Sequence, residues 1–218
     1  MVRSTEIPKT KTHGRYNMNF ETLKNNLEER GYTVSCHKTA KEAAEYINKK
    51  TDGTAVGMGG SITLEQMGLY DMLSTHNTVH WHQHTPKDKT SAEVRIAASG
   101  AEIYISSVNG VAETGEIINI DGTCNRVASI FFGPKKVYLV VGKNKIAKNY
   151  DEALWRARNI AAPKNAKRLG VDTPCAKAAD RCYNCKSPAR ICRALCILWE
   201  KPMGSDIEIV LIDEELGY

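Results

Sequence analysis

Gly133-Pro134-Lys135-Lys136-Val137-Tyr138-Leu139-Val140-Val141-Gly142-Lys143-Asn144-Lys145 is the stretch that decides the fold. Val137 to Val141 is a continuous apolar run, closed in front by Gly-Pro and behind by Gly-Lys-Asn-Lys, which is the pattern of a central strand buried on both faces. Such a strand needs helices on each side of its sheet, and the sequence around it supplies them. Before it, Asn125 to Phe132 reads as a helix, preceded by two short strands joined through Glu113-Thr114-Gly115 and closed by an Asp121-Gly122 turn. After it, Asp151 is expected to cap a long helix through Ala153, Leu154, Ala157 and Ile160 that Pro163 interrupts before Leu169.

Further from the centre the alternation continues. Phe20, Leu23 and Leu27 mark an amphipathic helix stopped at Gly31, and Tyr32 to Cys36 a strand in which Cys36 is a small core residue. Thr39 and Glu42 form a capping box for a helix through Ala43, Ala44 and Ile47. Thr54 to Met58 and Ala101 to Ser106 are strands, with a helix over Pro86 to Ser99 between them. Thr78 to His84 reads as extended, which puts His80, His82 and His84 on one side, either as a metal or proton-transfer group or as an exposed strand edge. Strands and helices alternate over residues 19–170, an α/β sheet with helices on both sides. Residues 171–218 then add a cysteine-rich segment and two strands, Ile191 to Glu200 and Asp206 to Asp213, expected as a hairpin turned at Pro202 to Ser205 and packed on the same domain.

The chain has 218 residues, 42% hydrophobic and 25% charged, which is enough to bury a full core without staples. No apolar run reaches the roughly 18 residues of a membrane span, and the polar start MVRSTEIPKTKT lacks an apolar leader core, so a cytoplasmic protein is expected. The net charge of +5 is spread over the chain; it suits small anionic ligands, and no basic stripe interleaved with aromatics points to nucleic acid.

Two groups of residues carry chemistry. Cys175, Cys182, Cys185 and Cys192 are spaced C-x6-C-x2-C-x6-C, and Cys196 follows. Buried structural cysteine does not account for five thiols among Lys177, Asp180, Arg181 and Lys186, and a disulfide framework lacks a secretory context. A metal neutralises clustered thiolates. One tight C-x2-C pair with two more distant cysteines suits a 4Fe-4S cluster better than zinc, whose all-thiolate sites use paired knuckles; zinc remains the alternative. Pro174 and Pro188 are expected to keep this segment out of regular helix. The second group begins at Gly57-Met58-Gly59-Gly60-Ser61, where glycines after a strand let backbone N–H groups approach an anion. Glu113 lies in a turn and Arg126 in the first turn of a helix.

ETGEIINIDGTCNRVASIFFGPKKVYLVVGKNKI (residues 113–146), NIAAPKNAKRL (159–169), then TPC, CYNC and SPARIC, together resemble the LUD-domain family, the group named for lactate utilisation. The resemblance implies a three-layer α/β/α open sheet similar to the CoA-transferase, ribose-5-phosphate isomerase and glucosamine-phosphate deaminase group. It places a pocket at Gly57, Gly59, Gly60, Ser61, Glu113, Thr114, Asp121, Asn125, Arg126, Gly142, Asn144 and Lys145, and matches the branch with a cysteine tail at Cys175, Cys182, Cys185 and Cys192; His82 is counted with this pocket. The activity implied is iron-sulfur-dependent oxidation of, or electron transfer from, a small organic acid, with a redox partner subunit and self-association both compatible with it. Two other classes stay open: a non-redox enzyme using Glu113 as base or nucleophile, with Arg126 and Lys145 on the substrate and an open-iron cluster as Lewis acid, and a zinc-stapled binding module.

Overall fold

The structure, a computed structural model, describes residues 20–218; the polar arm before them lies outside the described residues. In chain order the elements are α1 (Phe20–Glu29), β1 (Thr33–His37), α2 (Ala40–Lys50), β2 (Ala55–Met58), α3 (Ile62–Gln66), α4 (Leu69–Ser74), β3 (Thr78–Trp81), α5 (Ser91–Ser99), β4 (Ile103–Ser107), β5 (Gly110–Ala112), β6 (Ile117–Asp121), α6 (Asn125–Phe131), β7 (Lys136–Gly142) and β8 (Ile146–Ala147). Then come α7 (Tyr150–Arg156), a π turn (Ala157–Ala161), α8 (Ala162–Arg168), α9 (Pro174–Ala178), β9 (Ala194–Leu198) and β10 (Asp206–Ile212).

The main sheet has six strands in the order β1-β10-β7-β4-β2-β3, all parallel. Its two faces are read directly off β7. Val137, Leu139 and Val141 enter a core with Leu23 and Leu27 of α1, Ala98 of α5 and Ile130 of α6, while Tyr138 and Val140 enter a second core with Ala43, Ala44, Ile47, Leu64, Leu69 and Leu73 of α2, α3 and α4. The period of two along the strand thus feeds both layers, giving the α/β/α sandwich. A smaller sheet, β8-β5-β6-β9, lies over the first core. Val111, Ile117 and Leu198 face that core, and Ala112 and Ile118 pack on Ala153 and Ala157 of the long helix.

Several expectations are corrected. The terminal hairpin does not form: β9 pairs antiparallel with β6 in the small sheet, whereas β10 lies between β1 and β7 near the centre of the large one. The physical reason is burial, since Ile207, Ile209, Val210, Leu211 and Ile212 are all fully buried and divide between both cores, which no strand of an edge hairpin does. The Thr78 to His84 stretch is extended to Trp81 and then turns through a 3-10 segment, His82–His84. His84 stacks on Tyr70 at 4.1 Å and Trp81 at 4.8 Å, so the three histidines do not share a side. Pro163 does not interrupt its helix: the Ala157–Ala161 π turn widens the backbone just ahead of it, where the ring would otherwise meet a carbonyl. Pro174 opens α9 at its first turn under a Thr173 cap, so Cys175 is helical. Cys36 is exposed. Among the described residues no helix is long and apolar enough to cross a membrane.

Candidate functional site

Parallel strands deliver their carboxyl ends to one edge of the sheet, where the loops diverge and leave a crevice. Here Gly59 to Ser61 follow β2, Ser107 to Asn109 follow β4, Lys143–Lys145 follow β7, and the last residues of the chain follow β10. Together with α8 they line a cleft of two arms. The narrow arm, about 80 Å³, is lined by Gly60, Ser61, Thr63, Ser107, Lys145 and Tyr218 among others. The wider arm, about 190 Å³, is lined by His82, Arg95, Asp121, Asn125 and Leu169 among others. Gly60, Asn109, Ile120, Arg126, Asn165 and Arg168 belong to both.

The glycine turn is held tightly. Trp81 Nε1 donates to the Gly59 carbonyl at 3.0 Å, and the Ser61 N–H donates to Gln83 Oε1 at 2.6 Å. A Cβ on Gly57 would stand 2.1 Å from the Ala98 carbonyl oxygen, so this glycine serves the packing of α5 on β2; one on Gly60 would meet the His82 ring at 3.0 Å. Gly142 and Asn144 act behind the cleft: Asn144 Oδ1 accepts from the Leu216 N–H at 3.0 Å and ties down the end of the chain.

Lys145 is 4% exposed, and its Nζ donates to Thr63 Oγ1 and Ser107 Oγ, each at 2.7 Å. Burial first, then the charges of Arg156 and Arg126, hold its ammonium well below the ordinary lysine range. Arg126 spends its guanidinium on the protein, donating to the Ser107 and Ile120 carbonyls at 3.0 and 2.9 Å and to Asn119 Oδ1 at 2.5 Å, with Asp121 Oδ2 3.5 Å from its Nε. Asp121 also accepts from the Cys124 and Val127 N–H groups at the start of α6, so its charge is absorbed. His82 is pushed down to about 4, first by burial, then by Arg95 and Arg168, so its imidazole is neutral at neutral pH. The Nε of Arg95 is buried without a hydrogen-bond partner among the described residues. The cleft is therefore cationic and suited to an anion.

Glu113 and Thr114 are not brought into it. Their turn lies against α1, where Asn26 donates to the Glu113 carbonyl at 2.6 Å and Arg30 Nε to the Thr114 carbonyl at 2.8 Å. Asn109 and Glu113 are four residues apart along β5, about 13 Å at roughly 3.3 Å per residue. The residues that sequence reasoning missed are Ser107 and Asn109, polar groups at the carboxyl end of a strand, and Asn165 and Arg168, one helical turn apart on α8; both patterns were visible in principle. Arg156, which donates to the Asn144 and Asn109 carbonyls, each at 2.6 Å, carried no such signal.

Cys175, Cys182, Cys185 and Cys192 all line one cavity of about 250 Å³, with Arg158, Thr173 and Arg190. Asn184, in the left-handed region at φ 47°, makes the turn between Cys182 and Cys185. Donors already point at the sulfurs: Arg190 Nη2 at 3.3 Å from Cys192 Sγ, the Asn184 N–H at 3.4 Å and Arg158 Nη2 at 3.8 Å from Cys182 Sγ. Among the described residues no three His, Cys, Asp or Glu side chains stand close enough to hold one metal ion. Cys196 is on β9, opposite Asn119, and does not line the cavity. Ile120, Ala162 and Ile191 line both this cavity and the wide arm of the cleft.

Comparison with known proteins agrees with this architecture. A DUF162 family protein from Deinococcus radiodurans superposes with a TM-score of 0.51 at 13% identity, over 88% of this chain and 95% of that one, a likeness of fold. The structure of eIF2B beta from Chaetomium thermophilum aligns at a TM-score of 0.31 and 12% identity, over 61% of this chain and 44% of that one. No curated protein matches the chain. The model of the LUD domain matches residues 20–212, almost all of what has been described, and the chain belongs to the LUD-domain family.

Proposed function

We propose that this is an iron-sulfur protein that acts on a small organic acid anion, in lactate-utilisation-type oxidation or electron transfer, with a 4Fe-4S cluster held by Cys175, Cys182, Cys185 and Cys192. The observation that carries the reading is adjacency: the four-cysteine cavity and the cationic cleft share Ile120, Ala162 and Ile191 as a common wall. A tetrahedral zinc draws its sulfurs to about 2.3 Å from one centre, whereas a cubane cluster spreads them over separate irons; four thiols lining one cavity of about 250 Å³ leave room for the larger group. Bound through all four cysteines the cluster would supply an electron carrier; bound through three of them it would keep one iron open as a Lewis acid. Arg158 and Arg190 stabilise thiolate charge through N–H···S contacts. Arg95 and Arg168 attract the substrate anion, Arg126 holds the cleft wall in shape, and neutral His82 is available to accept a proton.

The same adjacency favours a second reading, a non-redox lyase, hydrolase or transferase in which three of the four cysteines would hold the cluster and the remaining iron would supply a Lewis acid beside the cleft. In that case the base is His82 or Lys145 rather than Glu113, because Glu113 is at the far end of its hairpin. Anaerobic purification followed by iron, zinc and acid-labile sulfide analysis tests the cluster. Iron and sulfide in about equal amounts, lost in Cys182→Ser and Cys185→Ser and retained in Cys196→Ser, is the expected result; zinc without sulfide refutes it. A cluster that neither dithionite nor any other donor reduces would refute electron transfer, the reading that calls for a redox partner subunit, and leave the Lewis-acid reading.

A further inference from the structure

The narrow arm of the cleft contains a buried lysine that meets two hydroxyls and no carboxylate. Lys145 Nζ is 2.7 Å from Thr63 Oγ1 and from Ser107 Oγ. Both hydroxyls send their own protons elsewhere, Ser107 to the Val140 carbonyl at 2.6 Å and Thr63 to the Leu216 carbonyl at 3.3 Å. Lys145 is therefore the donor in both contacts, and two N–H groups are used. Among the described residues these two hydroxyls are its hydrogen-bond partners and no carboxylate lies at ion-pair distance to stabilise an ammonium. A neutral amine has two N–H groups and a lone pair, so the two hydroxyls satisfy it and leave the lone pair unused. Lys145 lines the narrow arm, whose wall also includes Gly60, Asn109 and Arg126.

A buried lysine whose ammonium is disfavoured, beside an anion-binding cleft, has a defined reactivity toward carbonyl groups. Resting on the reading that this cleft takes a small organic acid, we propose that Lys145 forms an imine with the keto carbon of a 2-oxo acid whose carboxylate lies toward Arg168, which lines the same arm. The nitrogen lone pair attacks the carbonyl carbon, the C=O π pair moves to oxygen, and a proton passes from nitrogen to oxygen to give a carbinolamine. Departure of that hydroxyl with a proton, as water, leaves C=N. The sum is amine plus ketone to imine plus water, with no change of oxidation state. The two arginines that depress the ammonium, Arg156 and Arg126, act in the same direction by keeping positive charge off Nζ before the attack.

The test uses the full chain, prepared anaerobically and incubated at neutral pH with pyruvate and sodium cyanoborohydride. The reagent reduces an imine to a stable secondary amine, and tandem mass spectrometry then maps every lysine. The expected result is an adduct on Lys145 formed faster than on half-buried Lys143, its neighbour in the same turn, slowed by Ser107→Ala and absent from Lys145→Met. Because all lysines are read in one wild-type digest, the outcome does not depend on whether a variant folds. Lys145 unmodified, or modified no faster than Lys143, overturns the proposal. Iron and sulfide are measured on the same sample: a loaded protein without the adduct refutes the imine alone, and an adduct on a protein lacking iron and sulfide refutes the cluster assignment while the imine stands.

Discussion

Lys145 and His82 are basic side chains whose charged forms burial disfavours, and each leaves a signature in stability against pH. For Lys145 the folded state binds its proton far more weakly than the unfolded chain, whose lysine has the ordinary value of 10.5. The unfolded state then binds more protons at every pH between the two values, and stability rises with pH through that window. At pH 7 the lysine therefore opposes folding. Lys145→Met should raise the melting temperature at pH 7, with the gain shrinking as the pH approaches 10.5; thermal melts at pH 7 and pH 10 check this, and a loss at both would mean a charged, paired lysine. His82, at about 4 in the fold against 6.5 unfolded, costs stability as the pH falls from 6.5 toward 4. His82→Gln should flatten that acid limb, by on the order of 1 kcal/mol near pH 4.5 once solvent screening is allowed for. That Lys145 and Arg126 belong to a site was legible from residue type and resemblance. That Arg126 is consumed by carbonyls while Lys145 faces only hydroxyls was not, because those partners come from β4, β6 and α3.

At the scale of elements, the closest backbone approach is where α5 crosses β2. A methyl group on Gly57 would stand 2.1 Å from the Ala98 carbonyl oxygen and 2.8 Å from the Tyr104 ring, and neither a helix backbone nor a fully buried ring can yield cheaply. Gly57→Ala should cost about 1–3 kcal/mol in urea unfolding, as overpacked cores do; a neutral result would mean that α5 slides freely on the sheet. The elements themselves were largely legible. Leu23 and Leu27 at helical spacing, the Thr39 cap and the apolar run of β7 are local patterns, and each formed close to its expected bounds. Thr39 accepts from the Glu42 N–H at 3.1 Å, but the Glu42 carboxylate takes the Lys38 N–H instead of closing the box on Thr39 itself. Two of the misread stretches, His82 to His84 and Pro163, are places where ring stacking in one and a widened turn in the other overrode local pattern.

For the whole molecule, the position of β10 matters most. It supplies Ile207, Ile209 and Leu211 to one core and Val210 and Ile212 to the other, and pairs along its length with β1 and β7. Removal of residues 206–218 should therefore abolish cooperative folding of the preceding α/β layers rather than release an intact domain ending near residue 170. Circular dichroism and urea titration of the truncated chain check this, and a cooperative transition in it would show that the cysteine segment and β10 are an appendage. The cysteine set, the helix and strand types and the mixed α/β class were determined by the sequence alone, because spacing, capping and apolar periodicity act over a few residues. Which strand stands beside which, that Glu113 and Lys145 part company, and that the cysteine cavity shares a wall with a cationic cleft were decided by the tertiary structure, because strand order and register are chosen by burial of distant segments against one another, and no local pattern encodes that choice.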